Sequence, residues 1–157
     1  MTLLPVDGKD ALPRTSNTRG ARVLVAEDNP ALRYLMADVL ILEGCVVTEA
    51  GDGRTMCRAV HLAGLIEYPK DAFDLIVTDV RMPGESGLDA LERLRRRGCR
   101  TPAIVVTSFP ADANRRRVAE LGAILLPKPF NLDELRVATD FVLRTHPQAS
   151  RTAAWPV

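Results

Sequence analysis

The sequence predicts a doubly wound α/β fold: a five-stranded parallel sheet with helices on both faces. Two patterns carry that expectation. Short apolar segments alternate five times with longer segments whose apolar residues recur at helical spacing. The short segments are near-continuous runs of Val, Ile, Leu and Ala, as strands covered on both faces are. A strand–helix–strand order needs crossovers, so successive strands pair in parallel through right-handed connections.

The elements follow in order. "ARVLVAED" is a short apolar strand that ends in acids. "NPALRYLMADVLILEG" is a helix with Leu32, Leu35, Met36, Val39 and Leu40 expected on one face. Asn29 is placed to cap it, Pro30 suits its first position and Gly44 closes it. "CVVTEA" is the second strand, and a helix over residues 54–66 uses Met56, Val60 and Ala63. "HLAGLIEYPKDAF" makes a long connection into the third strand, "FDLIVTDV". "SGLDALERLRRRG" is a helix opened by Ser86, with Asp89 three residues later in a variant of the capping box. "TPAIVVTS" is the fourth strand, "ADANRRRVAELG" a helix, "AILLP" the fifth strand and "NLDELRVATDFVLRT" the last helix, with Asn131 and Glu134 at its start.

Composition bounds the function. A chain of 157 residues that is 46% hydrophobic can bury one core. A net charge of +1 and 4% aromatics give no general reason for nucleic-acid or membrane-surface binding. Cys45, Cys57 and Cys99 have no metal-ligand spacing and read as buried thiols in a reducing, cytoplasmic setting. No run approaches the roughly 20 apolar residues of a membrane span. Residues 1–20, rich in Pro, Gly and Ser, read as a flexible leader, residues 21–145 as the folded domain and residues 146–157 as a tail, with Trp155 exposed or loosely docked. The leader and tail look native, which favours a complete chain.

In an open parallel sheet, functional groups gather beyond the carboxyl ends of the strands. The first strand delivers Glu27 and Asp28 there, the third Asp79, the fourth Thr107 and Ser108, and the fifth Lys128. Three carboxylates in one place repel unless a cation intervenes. Oxygen ligands that leave room for water and phosphate oxygens suit Mg²⁺ better than an enclosed Ca²⁺ cage. With a lysine and a hydroxyl added, the set is that of a phosphoryl-transfer site. Taken singly each residue has a plainer reading: a turn-forming Asp, acids at a helix N-terminus, a β-forming Thr, a solvated Lys.

The acidic pair Glu27-Asp28, Asp79 with Met82-Pro83-Gly84 and Gly87 behind it, Thr107 and Lys128-Pro129-Phe130 together resemble the receiver domain of a two-component response regulator, over about residues 21–145. The resemblance implies a CheY-like, flavodoxin-like sheet of order 2-1-3-4-5 and a single-domain regulator. It implies that Asp79 is the phosphoacceptor, taking a phosphoryl group from a histidine kinase or histidine phosphotransfer protein. Asp28, Asp79 and the Arg81 backbone carbonyl would ligate Mg²⁺, with Glu27 acting through water. Thr107 and Lys128 would bind phosphoryl oxygens, and the Lys128–Pro129 peptide would be cis. The chain would not be an enzyme beyond its own phosphorylation and dephosphorylation. It would signal through a downstream protein docked on the face of helix four, strand five and helix five, where a homodimer also forms in many relatives.

Three positions depart from the family pattern or modify it. Leu125 stands where many receivers carry an aromatic switch residue. Ser108 stands where alanine is common. Arg81 and Phe109 are bulky and flank the approach of water, which implies slow loss of the phosphoryl group. Two arginine clusters, Arg93, Arg95, Arg96, Arg97 and Arg100, then Arg115, Arg116 and Arg117, read as solvated helix faces, or, for the second, as part of a surface for an acidic partner. Direct nucleic-acid binding is disfavoured, since about a dozen residues follow the last helix. Alternative readings are an Mg²⁺-dependent aspartyl-phosphate phosphatase, which would want an Asp-x-Asp pair and a cap domain, and a phosphorylation-independent scaffold. A dinucleotide or P-loop site is excluded by the missing glycine motifs.

Overall fold

The computed structural model describes residues 18–66, 73–108 and 111–146. Strands and helices alternate: β1 (Arg22–Ala26), α1 (Pro30–Leu42), β2 (Val46–Ala50), α2 (Gly53–Ile66), β3 (Leu75–Asp79), α3 (Gly87–Arg96), β4 (Ala103–Thr107), α4 (Asp112–Glu120), β5 (Ile124–Pro127) and α5 (Leu132–Thr145). All pairings are parallel, in the order β2-β1-β3-β4-β5. The expected fold class is the observed one. Residues 1–17, residues 67–72 of the long connection, Phe109, Pro110 and the tail from 147 with Trp155 lie outside the described residues.

The strand residues divide by parity. Leu24, Ala26, Ile76 and Val105 pack with Met56 of α2, Leu88, Leu91 and Leu94 of α3 and Val118 of α4. Val23, Val25, Leu75, Val77, Ile104 and Val106 pack with Met36 and Leu40 of α1 and Leu135 and Val142 of α5. Every residue of β3 and β4 is buried, which explains their unbroken apolar runs. Each Val, Ile or Leu among them contributes roughly 1.5–3 kcal/mol by its burial.

The caps fall where the sequence puts them. Asn29 Oδ1 accepts from the Ala31 and Leu32 amides. Ser86 Oγ accepts from the Asp89 amide. Asn131 and Glu134 form a reciprocal capping box. Helix α1 differs from expectation in one residue. Its buried face is Met36, Ala37 and Leu40, with Leu32 and Val39 partly covered, while Leu35 is 49% exposed. Leu35 lies about 140° around the helix from Leu40 and about 160° from Ala37, outside the stripe those residues and Met36 turn to the sheet. Of the segment assigned to a leader, residues 18–20 are described. Thr18 is buried, its Oγ1 donates to the Glu43 carbonyl at 2.8 Å, and the Gly20 amide donates to the Gly44 carbonyl at 2.8 Å.

Gly87 decides how α3 meets the tip of β3. A Cβ there would lie 1.7 Å from the Asp79 carbonyl oxygen and 2.6 Å from Thr78 Oγ1. The Gly87 amide donates to the Val80 carbonyl at 2.9 Å. No rotamer can relieve a clash with backbone, so only glycine permits this approach. At Gly64, inside α2, a Cβ would meet nothing within 4 Å. Gly87→Ala is therefore expected to destabilise the fold by about 2–4 kcal/mol, and Gly64→Ala to be neutral or stabilising by up to about 1 kcal/mol. Urea unfolding checks the contrast; equal effects would contradict it.

Candidate functional site

Parallel register brings the strand tips level. Ala26 pairs with Thr78, Asp79 with Val106 and Thr107 with Pro127. Glu27, Asp28, Asp79, Thr107 and Lys128 therefore leave the sheet at one edge. Glu27 and Asp79 are buried there and Asp28 is exposed. One carboxylate oxygen from each of Glu27, Asp28 and Asp79 lies within 4.8 Å of the others.

Lys128 binds two of the three. Its Nζ donates to Glu27 Oε2 at 2.9 Å and to Asp79 Oδ2 at 3.0 Å. The Asn29 amide donates to Glu27 Oε1 at 3.1 Å. Burial nevertheless pushes the Glu27 carboxyl above its ordinary value, against the pull of Lys128 and of the Asn29 amide. Burial works against the Lys128 ammonium too, but its bonds to Glu27 and Asp79 outweigh this and hold its pKa above the ordinary lysine value. Glu27 and Asp79 thus share one ammonium, and Asp28 adds a third carboxylate beside them. An ion ligated at roughly 2.1 Å spans oxygens about 4 Å apart. The donor set, hard oxygens at that spacing with one side open to solvent, fits Mg²⁺.

The surroundings hold these groups in place. The Lys128 amide donates to the Thr107 carbonyl at 2.7 Å, and the Lys128–Pro129 peptide is cis. Thr107 is buried and Ser108 exposed. Arg81 is exposed beside Asp79, while Met82 turns into the core. Leu125 pairs with Val105, two residues below Thr107, and is half-buried against the cluster under α3 and α4. Phe109 lies outside the described residues.

Sequence reasoning passed over Arg33. Its Nη1 donates to the Glu27 carbonyl at 2.8 Å and its Nε to Glu49 Oε1 at 3.3 Å, tying the end of β1 to β2. A cation in the first turns of a helix opposes the helix dipole, and that unfavourable placement was the signal available. The arginine clusters are also more than solvated faces. Arg95 donates to the Leu121 and Cys99 carbonyls, Arg93 pairs with Glu85, and Arg117 of α4 pairs with Asp89 and Glu92 of α3.

The sequence profile described as the response regulator receiver domain matches residues 23–140. The transcriptional regulatory protein TctD of Salmonella typhimurium is 35% identical over 124 residues, 78% of this chain and 52% of TctD. The transcriptional regulatory protein TcrA of Mycobacterium tuberculosis is 38% identical over 117 residues, 74% of this chain and 43% of TcrA. The chain thus spans about half the length of these curated relatives. The chemotaxis protein CheY4 of Vibrio cholerae superposes with a TM-score of 0.68 at 27% identity, covering 79% of this chain and 99% of that one.

Removing the ammonium should expose the carboxylate repulsion. Lys128→Met is expected to cost about 2–3 kcal/mol at neutral pH without divalent cations. The folded pKa of Glu27 lies above its unfolded value, so the stability tied to its protonation is present at low pH and lost as pH rises through the folded pKa. Loss of Lys128 raises that pKa further. The gap between variant and wild type should therefore close as pH falls toward 4.5, the ordinary Glu value. Urea unfolding across pH 4.5–8 checks this, and a gap that widens in acid would contradict it.

Proposed function

The chain belongs to the response regulator receiver domain family, and from that premise we propose that Asp79 is the phosphoacceptor of a two-component signalling relay. The observation that carries this reading is the convergence of Glu27, Asp28 and Asp79 around Lys128 at the tips of β1, β3 and β5. Receiver domains bind Mg²⁺ at acidic residues. Here Asp28, Asp79 and the Arg81 carbonyl would hold it, with Glu27 acting through water. Held by these residues, Mg²⁺ would supply positive charge against the carboxylates and the transferring phosphoryl oxygens.

The protein's own groups do the rest. A carboxylate oxygen of Asp79 attacks the phosphorus of a phosphohistidine on a kinase or phosphotransfer protein. The new bond is P–O, the bond that breaks is P–N, and the electron pair leaves with the imidazole. Lys128, 3.0 Å from Asp79 Oδ2, stands within reach of the oxygens of any group attached there. Thr107 offers its hydroxyl to another of those oxygens. Burial of Asp79 against the rigid β3 backbone fixes the nucleophile, which is worth more than an equally reactive group on a mobile segment. Arg81, exposed beside Asp79, would obstruct the water that hydrolyses the acyl phosphate, and the sequence puts a second bulky residue, Phe109, two positions after Thr107.

Receiver domains generally act as phosphoacceptors rather than as enzymes that turn over a separate substrate. This chain would signal the same way, from the cytoplasm, by docking a protein target on α4, β5 and α5. On that face Val137 and Phe141 are 58% and 56% exposed beside the half-buried Ile124, a surface suited to a protein target or a second copy. No helix among the described residues is long and apolar enough to cross a membrane. With Leu125 in place of an aromatic ring, the change at Thr107 would travel mainly through the connection after β4.

Incubation with Mg²⁺ and acetyl phosphate, read by intact mass, tests the assignment. The wild type is expected to gain one phosphoryl group, Asp79→Asn none, and Asp28→Asn to react far more slowly. An adduct that persists in Asp79→Asn overturns it. Followed over time after donor removal, the double variant Arg81→Ala with Phe109→Ala is expected to lose its phosphoryl group faster than the wild type.

A further inference from the structure

Helices α2 and α3 pack against each other and leave a cavity of about 420 Å³ between them. On α2 it is lined by Cys57, Val60, His61, Gly64 and Leu65, one stripe at helical spacing. On α3 and the turn after it, Arg93, Leu94, Arg97, Gly98 and Cys99 form the other side. Two of these residues keep the space open because they carry no side chain: a Cβ at Gly64 or at Gly98 would meet nothing within 4 Å. The volume falls in the range of small-molecule sites, roughly 300–1,000 Å³. None of the residues gathered at the strand tips lines it.

The lining is apolar, and its charge has one sign. Leu94 is buried, and Val60 is half-buried against the same core cluster. The charged groups are Arg93 and Arg97, and no carboxylate is among the described residues that line the space. Arg93 Nη2 is held by Glu85 at 2.7 Å, and its guanidinium also lies against the Cys57 sulfur. Arg97, one turn later and exposed, forms no ion pair among the described residues. The Cys57 thiol does not supply the missing negative charge. Burial pushes it above its ordinary value, more than Arg93 and Arg97 beside it pull it down, so it stays protonated at neutral pH and donates to the Ala90 carbonyl at 3.5 Å. Nor do these groups suit a metal: among the described residues, the one set of His, Cys, Asp and Glu close enough to share an ion is Glu27, Asp28 and Asp79.

We propose that the cavity between α2 and α3 binds a small organic anion with an apolar body, a carboxylate of medium chain length, its chain against Val60, Leu65 and Leu94 and its head group on Arg97. The chain gains by leaving water. The head group takes a guanidinium whose planar fork suits two carboxylate oxygens at once. Arg93, already engaged by Glu85, adds positive charge nearby and is the lesser contact. The site is separate from the strand tips and does not rest on the reading of Asp79 as phosphoacceptor.

Octanoate titrated into the isotope-labelled full chain, followed by amide NMR, tests this. Saturable shifts are expected at Val60, Gly64, Leu94 and Gly98, with β1 and β5 unmoved. Octanamide, which has the same chain and no charge, should bind about tenfold more weakly than octanoate. Arg97→Gln should weaken octanoate by about the same factor and leave octanamide unchanged, which also shows that the variant is folded. Gly64→Leu, whose side chain enters open space, should remove the binding of both. No saturable shift in the wild type overturns the site, including where another part of this chain already fills the cavity. Equal affinity for octanoate and octanamide, or octanoate binding untouched by Arg97→Gln, overturns the choice of an anion. Full binding to Gly64→Leu overturns the location.

Discussion

Lys128 stands between Glu27 and Asp79 with Asp28 beside them, and the balance of charge among these four groups is the constraint around which this molecule is arranged. Two buried carboxylates cannot be held close without compensation. One ammonium compensates in part; the Glu27 carboxyl is still pushed above its ordinary value, by burial first and by the neighbouring Asp79 and Asp28 to a lesser degree. Three carboxylates around one ammonium suit a further cation, which on the proposed reading would be Mg²⁺ receiving a phosphoryl group. The same imbalance that costs folding energy in the resting protein supplies affinity when the missing charge arrives.

Holding the imbalance requires a stiff frame. The central strands are covered on both faces, with α1 and α5 on one side and α2, α3 and α4 on the other. Parallel register then fixes the level at which each strand ends. Local devices refine this: the close approach that Gly87 allows at the Asp79 carbonyl, the Arg33 bond to the Glu27 carbonyl, and the Lys128 amide bond to Thr107. The frame is not equally stiff throughout. Next to Thr107, α4 buries one side chain, Val118, and adds the ion pairs of Arg117 with Asp89 and Glu92 of α3.

The fold was legible because its signals are local and periodic. Unbroken apolar runs mark β3 and β4, and side-chain caps mark the starts of α1, α3 and α5. The site residues were legible for a related reason: in a parallel sheet, position at the end of a strand is already position in space. What escaped was what depends on angle or on side-chain reach. Leu35 lies one residue from a buried neighbour yet points elsewhere, since a helix turns by about 100° per residue. Arg33 and Arg117 pair with carboxylates 16 to 28 residues away in sequence. No spacing rule reveals such pairs, because long flexible side chains choose among several acceptors only once the helices are packed.

The central claim is that the three carboxylates form one cation site in which Asp79 takes part. Carboxyl-carbon NMR of the wild-type protein, with aspartates and glutamates labelled and Mg²⁺ titrated in, addresses it most directly. The account expects saturable shifts at Asp28 and Asp79, a smaller one at Glu27, and little change at the solvent-facing acids of α5. Shifts spread evenly over the exposed carboxylates, with Asp28 and Asp79 unmoved, would contradict it.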